Sequence, residues 1–387
     1  MKEEKIYKTW IELDSKNLKN NISIFKGLLD KKTKLFAVVK SNAYGHGLED
    51  FSRIADKFKV DGFCVDSIIE GIKLRNIGIT KPILVIGPSI PGNSLTEAKK
   101  NDITISISNL EALRIYSVSK SKPDFHLKID TGMHRQGLQT FEMSDAINII
   151  KKKKLPINGV YTHFASAKDP GNTEFTNKQF NEFKEVIKLL ETAGLKDLAK
   201  HCSATGGTLL DKKYHLDMVR VGIGLYGIYP SVELKKEFQN QYKLIPVLSW
   251  KALVSEVKEV KSGEGISYDL TERLSKNSKI AIIPIGYWHG YPRSLSSVGK
   301  VLINGAECKV LGRICMDMII IDVSDVKGTR SANTVIMDGG VNLGAESVLI
   351  GKSNNLEITL EEISELSKNS PYEFITRINP LIKKIII

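Results

Sequence analysis

The sequence predicts an α/β fold: a parallel (β/α)8 TIM-type barrel followed by a mostly β C-terminal domain. Three observations predict it. From about residue 34, strand-like apolar runs alternate with amphipathic helical stretches. Eight such runs fit into about 200 residues, the count of this barrel. After about residue 243 the rhythm changes to long β-branched stretches. A doubly wound open sheet is the alternative for the first part.

The eight runs are LFAVVK (35–40), DGFCVDS (61–67), PILVIG (82–87), ITISIS (103–108), FHLKID (125–130), INGVYTHFA (157–165), KHCSA (200–204) and MVRVGIG (218–224). Between them LEDFSRIADKF, SLTEAKKN and FTNKQFNEFKEVIKLLETAG repeat apolar residues at three-to-four spacing, the mark of a helix with one buried face. The barrel is therefore expected over 14–243 and the β domain over 244–387. KIAIIPIGY, KVLINGAECKVLG, ICMDMIIIDVS and NTVIMDGG are its strands, with one helix, TLEEISELSK, opening on a Thr-x-x-Glu capping pattern. KIYKTWIELD precedes the first barrel strand and fits either domain; residues 1–13 are grouped with the second.

With 42% hydrophobic and 26% charged residues and only 12 prolines in 387, the composition is that of a folded globular protein and excludes collagen-like, disordered and coiled-coil classes. The first twenty residues lack an apolar h-region, and nowhere do eighteen apolar residues run together, so neither secretion nor membrane spanning is expected. A net charge of +12 suits an anionic partner, but 46 Lys against 10 Arg, scattered over the whole length, reads as a solvated surface. No nucleic-acid partner is expected. Cys64, Cys202, Cys308 and Cys315 lack CxxC spacing, which signals neither a zinc site nor a disulfide framework and fits a reducing cytoplasm.

Chemistry in this barrel sits at the C-terminal strand ends. There the sequence places Lys40 followed by SNAYGHG, Arg135 in DTGMHRQG, His163, the loop HCSATGG, and Arg220 with Gly222 and Gly224. Each alone has an ordinary explanation: a snorkelling lysine, a core histidine, packing glycines, an N-cap at Thr205. Together, hydroxyl-and-glycine loops after strands seven and eight suit a phosphate, and a phosphate beside an imine-competent lysine means pyridoxal phosphate.

AVVKSNAYGHG around Lys40 resembles the cofactor-lysine signature of alanine racemases. LKIDTGMHRQG (127–137), THFASA (162–167), HCSATGG (201–207), RVGIGLYG (220–227), GISYDLT (265–271), PIGYWHGY (284–291), GRICMDM (312–318) and PYEFITR (371–377) resemble the same family in order and spacing, from about residue 8 to the end. The resemblance implies a barrel plus β domain, with Lys40 holding the cofactor and serving as base on the D face. It implies Tyr268 as the opposite base, supplied with the Cys315-Met316-Asp317 loop by a partner subunit, hence a homodimer with shared sites. Two bases are needed because one has difficulty reaching both faces of a planar carbanion. Arg220 would face the pyridine nitrogen; its permanent charge keeps a proton off that nitrogen and suppresses transamination. By the same resemblance His163 links Arg220 to Tyr268, and Arg135 with the Met316 backbone N–H holds the substrate carboxylate. Tyr44, Thr205, Gly222, Ile223 and Tyr372 hold the phosphate. Lys128 occupies a position carbamylated in some relatives to orient Arg135, and Tyr287 and Tyr372 narrow the entrance.

Three departures stand out. Ala204-Thr205 replaces the family's usual Asn-Ser, Trp288-His289 replaces a frequent Ala-Asp, and RINPLIKK replaces a second arginine-rich segment. They bear on substrate preference more than on chemistry. The expected function is two-base racemisation of alanine, supplying D-alanine for peptidoglycan. A racemase of serine, lysine or a broader set is the near alternative. A related decarboxylase is disfavoured by the lack of a GPGR-like phosphate loop and of a Cys-Asp-x-x-Asp motif. A non-catalytic cofactor carrier would be a single barrel, without the domain that bears Tyr268.

Overall fold

The computed structural model describes residues 7–88, 93–327 and 340–387. The chain divides into two compact units, one of Ser15–Ala43 and Leu48–Pro246, the other of Met1–Asp14, Tyr44–Gly47 and Val247–Ile387. Strand β1 (Thr9–Leu13) comes first. Eight strands of the larger unit follow: β2 (Lys34–Val38), β3 (Gly62–Val65), β4 (Ile83–Val85), β5 (Ile105–Ile107), β6 (Phe125–Lys128), β7 (Ile157–Tyr161), β8 (Ala199–His201) and β9 (Met218–Val221).

Each of these strands falls on one of the eight expected runs, and they pair only in parallel, in the orders β4-β3-β2-β9 and β5-β6-β7-β8. Strands covered on both faces should be apolar without alternation, and GFCV, ILV and ISI are buried throughout. Backbone bonds join the two sheets at both edges: Val85 N–H donates to Thr104 O at 2.9 Å, and Arg220 N–H donates to Ser203 O at 2.9 Å. Helices make the crossovers. The longest, Glu174–Thr192, buries Thr176, Gln179, Phe180, Phe183, Val186 and Leu190, the expected three-to-four stripe.

The second unit contains β10 (Leu248–Leu253), β11 (Glu256–Val260), β12 (Gly265–Ile266), β13 (Glu272–Arg273), β14 (Ser278–Ile283), β15 (Lys300–Ile303), β16 (Ala306–Lys309), β17 (Ile319–Asp322), β18 (Glu346–Ser353), β19 (Leu356–Ile358) and β20 (Lys383–Ile386). A seven-stranded sheet runs β16-β15-β18-β10-β1-β20, with β19 on β18, beside a three-stranded sheet β11-β14-β17 and the pair β12-β13. β1 lies antiparallel to β10 and parallel to β20, so the segment that fitted either domain belongs to this sheet. Trp10, Ile11 and Leu13 are fully buried there.

In helix Leu360–Leu366, Thr359 Oγ1 accepts from Glu362 N–H at 3.1 Å, as the capping pattern predicts. One helix was expected in this region and the structure has a second, Pro371–Thr376, which carries Tyr372. PYEFITR is too short for apolar periodicity to reveal; its signal is local, Ser370 capping Glu373 N–H with Pro371 at the first position. The expected strand NTVIMDGG falls almost wholly outside the described residues.

Candidate active site

Lys40 lies two residues beyond the end of β2, its side chain 36% exposed, with Nζ 3.8 Å from Asp66 Oδ1. The chain then turns left-handed: Ser41, Asn42, Ala43 and Tyr44 have φ of 55°, 56°, 50° and 50°. L-residues avoid this conformation because Cβ crowds the following carbonyl, at a cost of about 1–2 kcal/mol each. The turn is held by Ala43 N–H donating to Val39 O at 2.8 Å and by Asn42 Oδ1 accepting from Leu48 N–H at 2.9 Å. Gly45 follows, also at positive φ; a Cβ there would fall 1.9 Å from Ile375 O, so this position takes only glycine.

Arg220, 2% exposed on β9, spends its guanidinium on neutral acceptors. It donates to His201 Nδ1, to Thr162 O at 2.9 Å, to Cys202 O at 3.2 Å and to His163 Nδ1 at 3.4 Å, and no carboxylate pairs with it among the described residues. Arg220 also lies 5.0 Å from the centre of the Tyr161 ring, which His201 stacks against on the same residue's π-system at 4.7 Å and 7°. The aromatic face offsets part of the desolvation of the buried cation. Tyr161 OH donates to Ser106 Oγ at 2.8 Å, and Ser106 donates to Val85 O. His163 is held well below the ordinary histidine range by burial, then by Arg220, Arg135, Lys128 and Lys40. It is a neutral ring whose Nδ1 accepts from Arg220, so its proton sits on Nε2.

Lys128 is buried on β6 and donates to Gln136 Oε1 at 2.8 Å. Burial, then Arg135, Arg220 and Lys40, push its ammonium down to about 7. Arg135 is exposed, in a loop that Asp130 gathers by accepting three backbone N–H groups, from Gly132, Met133 and His134. Thr205 Oγ1 accepts from Gly224 N–H at 3.2 Å, so the loop after β8 and the Gly222–Ile223–Gly224 loop after β9 lie together. A Cβ on Gly224 would come within 2.7 Å of Thr205 Cγ2, which is why this approach needs glycine.

In the other unit, Tyr44 and Tyr372 have ring centroids 6.2 Å apart. Tyr268 stands on a 3-10 turn and is 67% exposed. Ser267 beside it donates to Arg313 O at 2.6 Å, and Asp269 pairs with Arg313 at 3.0 Å. Tyr287 and Trp288 N–H donate to Cys315 O at 3.1 Å and Met316 O at 3.0 Å, which binds the 286–290 turn to the Met316 loop. Tyr268, Tyr287, Trp288, Met316 and Met318 all expose large apolar side chains.

The sequence assigns no role to His126, Tyr161 or His201, although all three lie inside expected strand runs, FHLKID, INGVYTHFA and KHCSA. The usable signal was a histidine within an apolar parallel-strand run, where a polar side chain must find a buried partner.

Four cations, Lys40, Lys128, Arg135 and Arg220, act together on His163, while among the described residues Lys40 pairs with Asp66 at 3.8 Å and Arg220 pairs with no carboxylate. That donor set, with one accessible amine, fits pyridoxal phosphate, which brings a phosphate and a phenolate oxygen. The fold and site thus define a cofactor-dependent α/β enzyme with a second, β-rich domain. A model of the alanine racemase N-terminal domain matches residues 13–230, and one of the alanine racemase C-terminal domain matches residues 247–386. The chain belongs to the alanine racemase family, whose members are pyridoxal-phosphate-dependent isomerases. It is 33% identical to an alanine racemase of Leptospira interrogans over 98% of this chain and 96% of that one, and 36% identical to one of Methanococcus maripaludis over 97% and 98%. Among solved structures it resembles alanine racemase of Clostridium difficile, with a TM-score of 0.89 and 34% identity over 99% of this chain and 97% of that one. It also resembles the Bacillus anthracis alanine racemase with bound L-Ala-P, with a TM-score of 0.88 and 32% identity over 99% and 96%.

Proposed function

We propose that this chain interconverts L- and D-alanine, with pyridoxal phosphate held at Lys40 and one base from each of two subunits. The observation that carries the reading is the convergence of Lys40, Lys128, Arg135 and Arg220 on His163, set, among the described residues, against Asp66 beside Lys40 and Asp130 acting on Lys128. When bound, the cofactor supplies an electron-withdrawing system that makes the substrate Cα–H acidic enough to remove. Lys40 would move the proton on one face and Tyr268 of the partner subunit on the other. With Nδ1 accepting from Arg220, His163 would offer its Nε2–H to that tyrosine's oxygen. Arg220, always charged, would keep a proton off the ring nitrogen it would face.

Arg135 and the Met316 N–H would orient the substrate carboxylate, and Thr205, Gly222, Ile223, Tyr44 and Tyr372 the phosphate. The bounds of the two units, Ser15 to Pro246 and Val247 to Ile387, support the domains proposed over 14–243 and 244–387, with Tyr44–Gly47 grouped with the second instead of the first. The backbone bonds at both sheet edges support closure of the eight parallel strands into one (β/α)8 barrel. The exposed apolar set around Tyr268 supports a homodimer, in which a partner would cover it. Four free thiols suit a reducing cytoplasm, where D-alanine would be made for peptidoglycan; among the described residues no helix is long and apolar enough to cross a membrane. Purified protein with pyridoxal phosphate and a panel of L-amino acids tests the reading: alanine should change chirality fastest, and a faster change of serine or lysine would reassign the substrate.

A further inference from the structure

We propose that Glu70 is a positioning residue for Lys40: its carboxylate ties the peptide after Lys40 to the end of β3 and so sets the direction in which the amine leaves the strand ends. The proposal rests on Lys40 being the cofactor lysine. Glu70 lies in the first turn of helix Ile68–Asn76, where its own N–H donates to the capping Ser67 Oγ. Its two oxygens take different partners. Oε1 accepts from Ser41 N–H at 2.7 Å and Oε2 from Asp66 N–H at 2.8 Å. The first N–H is the one next to Lys40 in the chain; the second belongs to the residue whose carboxylate faces Lys40 Nζ at 3.8 Å.

The turn has a reason to need this tie. Four successive non-glycine residues, Ser41 to Tyr44, are left-handed, at about 1–2 kcal/mol each. Released, the turn would relax toward right-handed backbone and swing Lys40 with it. The bonds at Ala43 and Asn42 secure the middle of the turn, whereas the bond from Ser41 secures its start. Bonds to an ionised carboxylate are roughly twice as strong as neutral ones, and a carboxylate can accept on both sides at once. Glutamine cannot: its NH2 would oppose one of the two N–H donors.

The test measures binding to apoprotein of pyridoxal phosphate, an aldehyde that Lys40 can hold covalently with loss of water, and of pyridoxine 5'-phosphate, an alcohol that it cannot. Glu70→Ala should weaken pyridoxal phosphate by about tenfold or more, and Glu70→Gln by less, while the alcohol stays within about twofold. In a Lys40→Ala background, Glu70→Ala should change neither ligand. Equal weakening of both ligands would make Glu70 a general fold residue, and no weakening of either would make it idle; each overturns the proposal. If Glu70→Ala does not fold, the near-isosteric Glu70→Gln carries the comparison. Lys40→Ala binding pyridoxal phosphate as tightly as the parent would reject the reading of Lys40 itself, a separate failure.

Discussion

His126 Nδ1 and His201 Nε2 meet at 2.8 Å across β7, and Arg220 decides which of them holds the proton. Arginine only donates, so His201 Nδ1 must accept; His201 therefore carries its proton on Nε2 and donates to His126. The crossing is open because residue 159, between them on β7, is glycine: a Cβ there would lie 2.5 Å from the His126 ring. Burial, then Arg220, pushes His126 down to about 3, and His201 is likewise held well below the ordinary range.

Both rings should therefore stay neutral near pH 5, with His201 as the Nε2–H tautomer in nitrogen NMR. His126→Phe leaves that N–H without an acceptor and should cost about 1–3 kcal/mol at pH 7 by urea unfolding. Because the folded value lies below the unfolded 6.5, the histidine's own contribution is present above that pH and lost as pH falls toward 3. The gap between His126→Phe and the parent should narrow in acid. Gly159→Ala should destabilise by about 1–3 kcal/mol through overpacking against the same ring.

Asp130 is expected to control substrate binding through the loop that carries Arg135. Burial raises its carboxyl, but the N–H groups of His134, Gly132 and Met133 outweigh burial and hold it below the ordinary aspartate value. Asp130→Ala should cost about 2–3 kcal/mol and raise KM for alanine more than it lowers kcat. Asp130→Asn keeps one acceptor oxygen and should fall between. A loss confined to kcat would disconnect the loop from carboxylate binding.

For Lys128 the pH dependence has the same sign in a more alkaline window. Its folded value of about 7 lies far below the ordinary 10.5, so between these values the unfolded chain binds more protons and raising the pH stabilises the fold. Lys128→Met removes that proton uptake. The stability of the parent relative to this variant should rise from pH 7 to pH 10; a flat difference would mean that Lys128 is not depressed.

Much of this was legible in the sequence because strand ends fix where side chains gather. The eight runs, Lys40, His163, Thr205 and Arg220 needed only the rule that barrel chemistry collects at one face. What stayed hidden depends on geometry without periodicity. The left-handed turn at Ser41–Tyr44 has no glycine to announce it until Gly45, and Glu70 reaches it from a helix beginning 27 residues on. His126 and His201 look like strand residues until β7 is seen to hold a glycine between them. The helix at Tyr372 is a single short stretch whose evidence is a cap.

The central claim, a site built from two subunits with a base from each, is tested by mixing. Lys40→Ala and Tyr268→Phe proteins should each be nearly inactive on alanine. After subunit exchange, confirmed by mass, a heterodimer has one site with both substitutions and one with neither, so racemisation should return to at most about half of the parental value per heterodimer. Exchange without any return of activity would contradict the shared site, because it would place both bases in one chain.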